Sequence, residues 1–416
     1  MEGISEKNRV FRRWGLKSSG GKGRTKQDAW TLEVPDLCKR RLLGYAETFQ
    51  ELARSLGEEF EAEMIQGDRQ SLLDARTRQE NRQVIGNNLS EVAQIMTQVA
   101  DEVFVYEPVE EKKRKELVHI LRDEGIVVRD IFYIPQTGDR RALGLTMHME
   151  KRDKRPASDV ADMLSAVFGL SMQISVNSPY FIEKNVHSFL FVEEPRYIVL
   201  SGFARAVKEN EVVSGDNYSI IESEKGKVTI LLSDGTGSGE EARRGSECVL
   251  DLTEKLLEAG YGTQAAVKMV NAAFFARGEE QNHPTLDICD LDLYGGSCCF
   301  YKVGGAASFL KRADRVEQIG VGNLPLGVFQ NVEVQPCRKR LQDGDYLVLM
   351  TDGVLDALGA HNYEEAMEDA IFAMREQNPG EIAEKLLQLV IRLSGGRIMD
   401  DMTIIVAGLW ENSVIA

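Results

Sequence analysis

The apolar positions of this chain fall into three successive textures. From Pro35 to about residue 100 they recur at three- and four-residue spacing: Leu42, Leu43, Ala46, Phe49, Leu52, Ala53 and Leu56, then Val84, Leu89, Val92, Ile95, Met96 and Val99. That spacing lines one face of a helix. It predicts two amphipathic helices with a polar interruption from Gln66 to Asn81 between them. Their apolar stripes need cover, and the sequence leaves three sources open: each other, the following domain, or a second copy of the chain. From Glu107 the texture is mixed. A helix is expected over Lys112–Glu124, ended by Gly125, then a strand over Val127–Ile134, its hairpin partner over Ala142–Met149, a helix over Ala157–Phe168, and strands at Phe189–Val192 and Tyr197–Leu200. This predicts a small α/β domain without a catalytic grouping, in which His148 and His187 read as structural residues of strands.

From about Phe203 the runs become continuously apolar. Val228 to Leu232, Tyr346 to Met350 and Met402 to Val406 are short, β-rich and bounded by turn residues, as expected of strands buried on both faces. Further strands are expected at Leu286–Leu293, Ser297–Val303, Ala307–Lys311 and Arg338–Leu341, and helices at Glu240–Leu257, Thr263–Arg277, Glu364–Gln377 and Pro379–Leu393. Strands grouped together, with helices in pairs, predict an α+β arrangement in place of a regular alternation.

The chemistry sits where these strands end. Ser233-Asp234-Gly235-Thr236-Gly237-Ser238-Gly239 follows the first run, Thr351-Asp352-Gly353 follows the second, and Asp400-Asp401 opens the third. Ser214-Gly215-Asp216 adds a carboxylate just upstream. The glycines allow tight turns and close backbone approach. If the strands are neighbours, their acids converge, and crowded carboxylates are pushed toward protonation unless cations lie between them. An all-oxygen ligand set without thiolate or imidazole suits Mg²⁺ or Mn²⁺, and none of the five histidines has zinc-site spacing.

Composition narrows the setting. At 416 residues there is room for two or three domains. A formal charge of −16 argues against a nucleic-acid-binding surface over most of the protein. The six cysteines show no framework spacing and mostly lie in apolar runs, as a reducing cytoplasm allows. No window approaches 18 consecutive apolar residues, and Met1 leads into polar residues and arginines. A cytoplasmic protein is therefore expected. The chain divides into a basic disordered tail (1–30), an amphipathic helical segment (31–106), a small α/β regulatory domain (107–202) and the acid-bearing domain (203–416). The tail is read as solvated, in preference to lying on anionic lipid.

Taken together, Ser214-Gly215-Asp216, Ser233 to Gly239, Thr285-Leu286-Asp287, Lys302-Val303-Gly304, Asn323-Leu324-Pro325-Leu326-Gly327, Thr351-Asp352-Gly353 and Asp400-Asp401-Met402-Thr403 resemble, in order and spacing, the PP2C-type metal-dependent serine/threonine phosphatases. More narrowly they resemble the bacterial stage II sporulation protein E family. The resemblance implies an α-β-β-α sandwich of two antiparallel sheets holding two Mn²⁺ or Mg²⁺ ions at one edge. By position, Asp234 would bridge both ions and the Gly235 carbonyl would bind one. Asp352 and Asp400 would hold the other, and Asp216 would act from behind through water. Asp401, adjacent to Asp400 and pointing elsewhere, is the less favoured ligand. A water activated between the ions would attack the phosphorus in line.

The family's substrate is a serine-phosphorylated anti-anti-sigma factor, whose release from phosphate frees a sporulation sigma factor. Its members usually carry a multi-span N-terminal membrane section, which has no counterpart in this sequence. Recruitment through a membrane or division-machinery partner, and a homodimer through the N-terminal helices, are the associations the layout suggests. The helix pair after Gly237 and Gly239 (Glu240 to Arg277) is expected to act as a regulatory switch, because a shift in it would move Asp234 and Gly235.

Other chemistries fit less well. No cysteine is followed six positions later by arginine, as a cysteine phosphatase requires. Asp290-Leu291-Asp292 is followed by Leu-Tyr and lies in a strand, unlike an aspartyl-phosphate site, and Gly20-Gly21-Lys22 lacks the strand that precedes a P-loop. Two alternatives stand beside the main reading: a stress-response phosphatase acting on a related anti-anti-sigma protein, and an inactive phosphatase fold serving as a scaffold. Retention of every ligand carboxylate argues against the scaffold.

Overall fold

The computed structural model describes residues 42–54, 83, 85–100, 107–135, 140–151, 153–175, 178–223, 226–277, 283–320, 324–329, 332–359 and 363–412. The basic tail, the interruption from Gln66 to Asn81, and Leu56, Val84 and Asn323 lie outside these residues. The two stripes form helices α1 (42–54) and α2 (85–100). They touch where a Cβ on Gly86 would stand 3.3 Å from the Ala53 carbonyl oxygen. Ala46, Ala93 and Ala100 are buried, while Tyr45, Leu52, Ile85 and Val99 are exposed. No helix among the described residues is long and apolar enough to cross a membrane.

The mixed texture resolves into β1 (Glu107–Pro108), α3 (Glu111–Asp123), β2 (Ile126–Pro135), β3 (Arg141–Met149), β4 (Arg155–Pro156), α4 (Ala157–Phe168), β5 (Met172–Ile174), β6 (Phe181–Ile182) and β7 (His187–Glu193). One antiparallel sheet runs β1-β2-β3-β7-β5. The inward residues of α3 and α4, among them Leu117, Leu121, Val160 and Leu164, pack with Leu145, Met147 and Phe191 of the sheet. The helix expected over Ala157–Phe168 has those bounds, and Gly169 ends it in the left-handed conformation (φ 67°).

The remaining elements are β8 (Tyr197–Ala206), β9 (Asn217–Ser223), β10 (Lys227–Ser233), α5 (Gly239–Glu258), α6 (Thr263–Arg277), β11 (Leu286–Asp292), β12 (Ser297–Val303), β13 (Ser308–Lys311), β14 (Val316–Ile319), β15 (Cys337–Arg340), β16 (Tyr346–Met350), α7 (Asp352–Asp356), α8 (Tyr363–Ala373), α9 (Pro379–Leu393) and β17 (Met402–Glu411). They build two five-stranded antiparallel sheets, β15-β12-β11-β10-β9 and β14-β13-β16-β17-β8. Between the sheets lie Val228, Ile230, Leu232, Cys289, Phe300, Leu347, Leu349, Ile405 and Leu409. On the first sheet's outer face, Leu231, Ile288 and Val303 pack on α5 and α6 through Val249, Val267, Val270 and Phe274. On the second sheet's outer face, Val348, Ile404 and Val406 meet Ile371, Ile382, Leu386 and Val390 of α8 and α9. The architecture is an α-β-β-α sandwich. The middle strands are covered on both faces, which is why their sequences are apolar without alternation. Strand β8 pairs with β17 from Tyr197↔Glu411 to Ala206↔Met402, so the second sheet already begins at Tyr197, upstream of the change of texture at Phe203.

Candidate metal centre

Strand register brings the acids to one edge of the sandwich. Ser233, the last residue of β10, is opposite Asn217, the first of β9, which places Asp234 beside Asp216. Met350 at the end of β16 is opposite Ile404 near the start of β17, which places Asp352 beside the Asp400-Asp401 pair. The two ends are joined at Thr351, whose hydroxyl donates to Asp216 Oδ2 at 2.9 Å and accepts from the Thr403 N–H at 3.0 Å. Thr285 anchors the other side: its Oγ1 accepts from the Asp234 N–H at 2.9 Å, and its own N–H donates to the Asp234 carbonyl.

The loop after Asp234 is shaped by close approach. A Cβ on Gly235 would lie 2.0 Å from the Ala242 carbonyl oxygen, so only glycine lets α5 pack there. Gly237 and Gly239 adopt φ of 93° and 72°. Thr236 Oγ1 accepts from the His283 N–H at 2.8 Å, and Ser238 Oγ donates to Glu211 at 2.9 Å. The loop is thus tied to two neighbouring segments and leads directly into α5.

The electrostatics call for a cation. Burial, with Asp216 and Asp352 adding their charges, pushes Asp234 up to about 10. Burial likewise carries Asp216 up to about 6, against the hydrogen bond from Thr351. The second oxygen of Asp216, Oδ1, is buried and has no hydrogen-bond partner. A cavity of ≈ 10 Å³ lined by Asp234, Thr285, Asp287, Thr351 and Asp352 lies at the same edge of the sandwich, about the space of a single water or ion. An orphaned carboxylate oxygen and a repelling trio of acids fit hard divalent cations. Among the described residues no three His, Cys, Asp or Glu side chains already stand in ligating geometry. The charges of Asp216 and Asp352 bear directly on Asp234, a repulsion that ion binding would relieve.

The adjacent acids at the start of β17 separate cleanly. Asp401 is buried and accepts from the Lys208 N–H at 2.9 Å and the Gly215 N–H at 2.7 Å, holding the segment that carries Asp216. Asp400 is half exposed, with Lys208 Nζ 3.4 Å from its Oδ1. Asp356, which no motif singled out, joins the group. Burial and the charges of Asp352 and Asp400 raise its pKa, and its place four residues after Asp352 on α7 was the available signal.

Behind the site lies a buried ion pair. Lys302 Nζ contacts Asp287 Oδ2 at 2.5 Å and Ser308 Oγ at 2.9 Å. A Cβ on Gly305 would strike Asp287, so the pair underpins the Gly304–Ala306 wall of the small cavity. Lys302→Met leaves Asp287 buried without a partner and is expected to cost about 3–5 kcal/mol, seen as a lowered urea midpoint. Lys302→Met combined with Asp287→Leu should recover most of the loss. If the single variant unfolds with wild type, the pair is not what supports that wall.

Known proteins resemble this chain in sequence and in fold. The sequence model of the family described as Stage II sporulation protein E (SpoIIE) matches residues 224–409. Two curated relatives of that name match at 30% identity, one from Priestia megaterium over 339 residues and one from Bacillus subtilis (strain 168) over 345. Each match takes in 80% of this chain, but the chain spans only 57% of the first relative and 40% of the second. The solved structure of the PP2C phosphatase domain and a fragment of the regulatory domain of SpoIIE from Bacillus subtilis is similar at a TM-score of 0.57 and 27% identity. It covers 84% of this chain and 100% of its own, which exceeds the span 203–416 and takes in part of the upstream domain.

Proposed function

We propose, from the premise that this chain is a SpoIIE-like protein with a PP2C-type phosphatase fold, that it hydrolyses phosphoserine on a small anti-anti-sigma protein and thereby controls a sporulation sigma factor. The observation that carries the reading is the meeting of Asp216, Asp234 and Asp352 at one sandwich edge, with Asp234 raised to about 10. Such a group of acids is costly unless divalent cations neutralise it.

The ligand roles follow from position. Asp234 and the Gly235 carbonyl would hold one of two Mn²⁺ or Mg²⁺ ions, and Asp234, Asp352 and Asp400 the other. Asp216, fixed by Thr351, would orient water from behind, and Asp401 would stay on the Lys208 and Gly215 backbone. When bound, the ions lower the pKa of water and neutralise phosphate charge. Lys208, beside Asp400, would then be free to meet a phosphate oxygen at the mouth of the site. Thr285 fixes the Asp234 backbone, so its carboxylate keeps one aim while protons and charge shift around it.

Regulation is read from α2. A Cβ on Gly260, in the turn between α5 and α6, would be 3.6 Å from Ile95 Cγ2, and the charge of Glu91 acts on Tyr261 beside it. A displacement of α2 would thus reach α5, Gly239, Gly237 and finally Gly235 and Asp234. The exposed Tyr45, Leu52 and Ile85 offer a face for a second copy of the chain. The basic segment before residue 30, or a membrane or division-machinery partner, would supply recruitment.

The test is phosphate release from a serine-phosphorylated anti-anti-sigma protein, with Mn²⁺ and with EDTA. Release that needs Mn²⁺ and greatly exceeds release from an unrelated phosphoserine protein is expected. Equal release in EDTA would remove the metal mechanism; equal release from the unrelated protein would remove the substrate assignment.

A further inference from the structure

At the edge of the sandwich opposite the acids, the outer face of the first sheet extends beyond its helices and forms an open cavity of ≈ 770 Å³. It lies about 20 Å from Asp234 by the length of β10. Its basic residues are unexpected in a chain of net charge −16: Lys227, Arg338, Lys339 and Arg340 come from the phosphatase sheet, and Arg140 from the upstream domain. Register explains the grouping. Arg338 is opposite Cys299, and Arg340 is opposite Ser297, so the two arginines share one face of β15. Lys227, on β10 three strands from β15, is opposite Asp292 on the adjoining strand β11.

The two carboxylates that line the cavity, Asp290 and Asp292, are already engaged. Asp290 accepts from Thr229 Oγ1 at 2.7 Å, from Thr263 Oγ1 at 2.5 Å and from Lys227 Nζ at 2.9 Å. Asp292 caps its own turn through the Tyr294 N–H at 3.1 Å. Lys339 is paired with Glu317. Arg338 and Arg340 are exposed, and neither has an ion-pair partner among the described residues. Arg140 is pre-positioned, its guanidinium 3.9 Å from the Tyr294 ring centroid, while Tyr294 Oη donates to the Glu193 carbonyl at 2.6 Å. The Tyr294 turn therefore fixes the upstream domain's arginine at the cavity that Arg338 and Arg340 also line.

We propose that this cavity binds a small diphosphate-bearing anion between Arg140 and the Arg338–Arg340 pair. Its volume falls in the range of small-molecule sites. Planar guanidinium groups engage phosphate oxygens two at a time, which a lysine cannot do. Because its arms come from two domains, the anion would fasten the upstream domain to the phosphatase sandwich at a point remote from the metal centre.

The experiment is isothermal titration of the metal-stripped full chain with inorganic pyrophosphate and, separately, ADP. Saturable 1:1 binding that weakens with added salt is expected. Arg338→Ala with Arg340→Ala should reduce affinity about 100-fold, and Arg140→Ala about 10-fold. Arg338→Lys with Arg340→Lys, which keeps the charge, should fall between. Thermal unfolding without ligand verifies that each variant is folded. Asp234→Asn should bind as wild type does, which separates this site from the metal centre whatever becomes of the phosphatase reading. Tighter binding of ADP than of pyrophosphate identifies a nucleoside diphosphate as the occupant, and equal binding identifies the diphosphate group alone. Binding of neither probe, or binding undisturbed by the arginine variants, would overturn the proposal.

Discussion

Asp234→Asn will lower metal-dependent phosphate release by at least about 10³-fold, the scale of losing a metal-organised nucleophile and its electrostatic support, yet will make the metal-free protein more stable. The two effects have one cause. In the folded, metal-free chain Asp234 is raised to about 10, chiefly by burial and then by Asp216 and Asp352, whereas in the unfolded chain it titrates near ~3.9. Between those values the folded state holds a proton that the unfolded state has released. Stability therefore falls as pH rises across this window, by at most about 1.4 kcal/mol per pH unit for one proton. Asp216, raised to about 6, adds to the fall in its lower part. Asparagine carries no such proton, so the variant's melting temperature in EDTA should change much less between pH 5.5 and 8. Mn²⁺ favours the ionised acids and should reverse the wild-type trend while leaving the variant nearly unmoved. A variant whose EDTA profile parallels wild type would show that Asp234 is not the strained member of the group.

Asp401→Ala and Asp400→Asn should fail in different ways although the residues are neighbours. Asp401 is the buried acceptor for the N–H groups of Lys208 and Gly215. Removing it deprives two backbone donors of a charged partner, worth about 3–6 kcal/mol together, and loosens the segment that presents Asp216. Asp401→Ala should therefore unfold at markedly lower urea, with or without Mn²⁺. Asp400 is half exposed, and its Oδ1 meets the flexible end of Lys208 and the neighbouring Asp401 N–H. Asp400→Asn should keep the wild-type urea midpoint in EDTA but lose the shift that Mn²⁺ confers, together with activity. Reversed phenotypes would make Asp401 the ligand.

Much of the sandwich was legible because β10, β16 and β17 are buried on both faces and read as unbroken apolar runs, so that the acids at their ends stood out. Of the four edge strands, β15 and part of β8 were expected, but two were not. β9 (NYSIIES) and β14 (VEQI) are partly exposed and polar, and pairing with a neighbour, not local pattern, makes them strands. Sequence could say that Asp400 and Asp401 diverge, but their distinct surroundings come from Lys208 and Gly215, nearly two hundred positions away. The same holds for the basic cavity. Arg140 and Arg338 gain meaning only when a turn at Tyr294 brings two domains side by side.

Strand β17 lies between β16 and β8, joining the sheet's earliest strand to one of its latest, and the two acids precede it directly. A nascent chain halted on the ribosome before Asp400 would hold β8 without its neighbour in the sheet and the Gly215 segment without its Asp401 contact. The pairing of β8 and the hold of Asp401 on Gly215 are therefore completed only once β17 has been made.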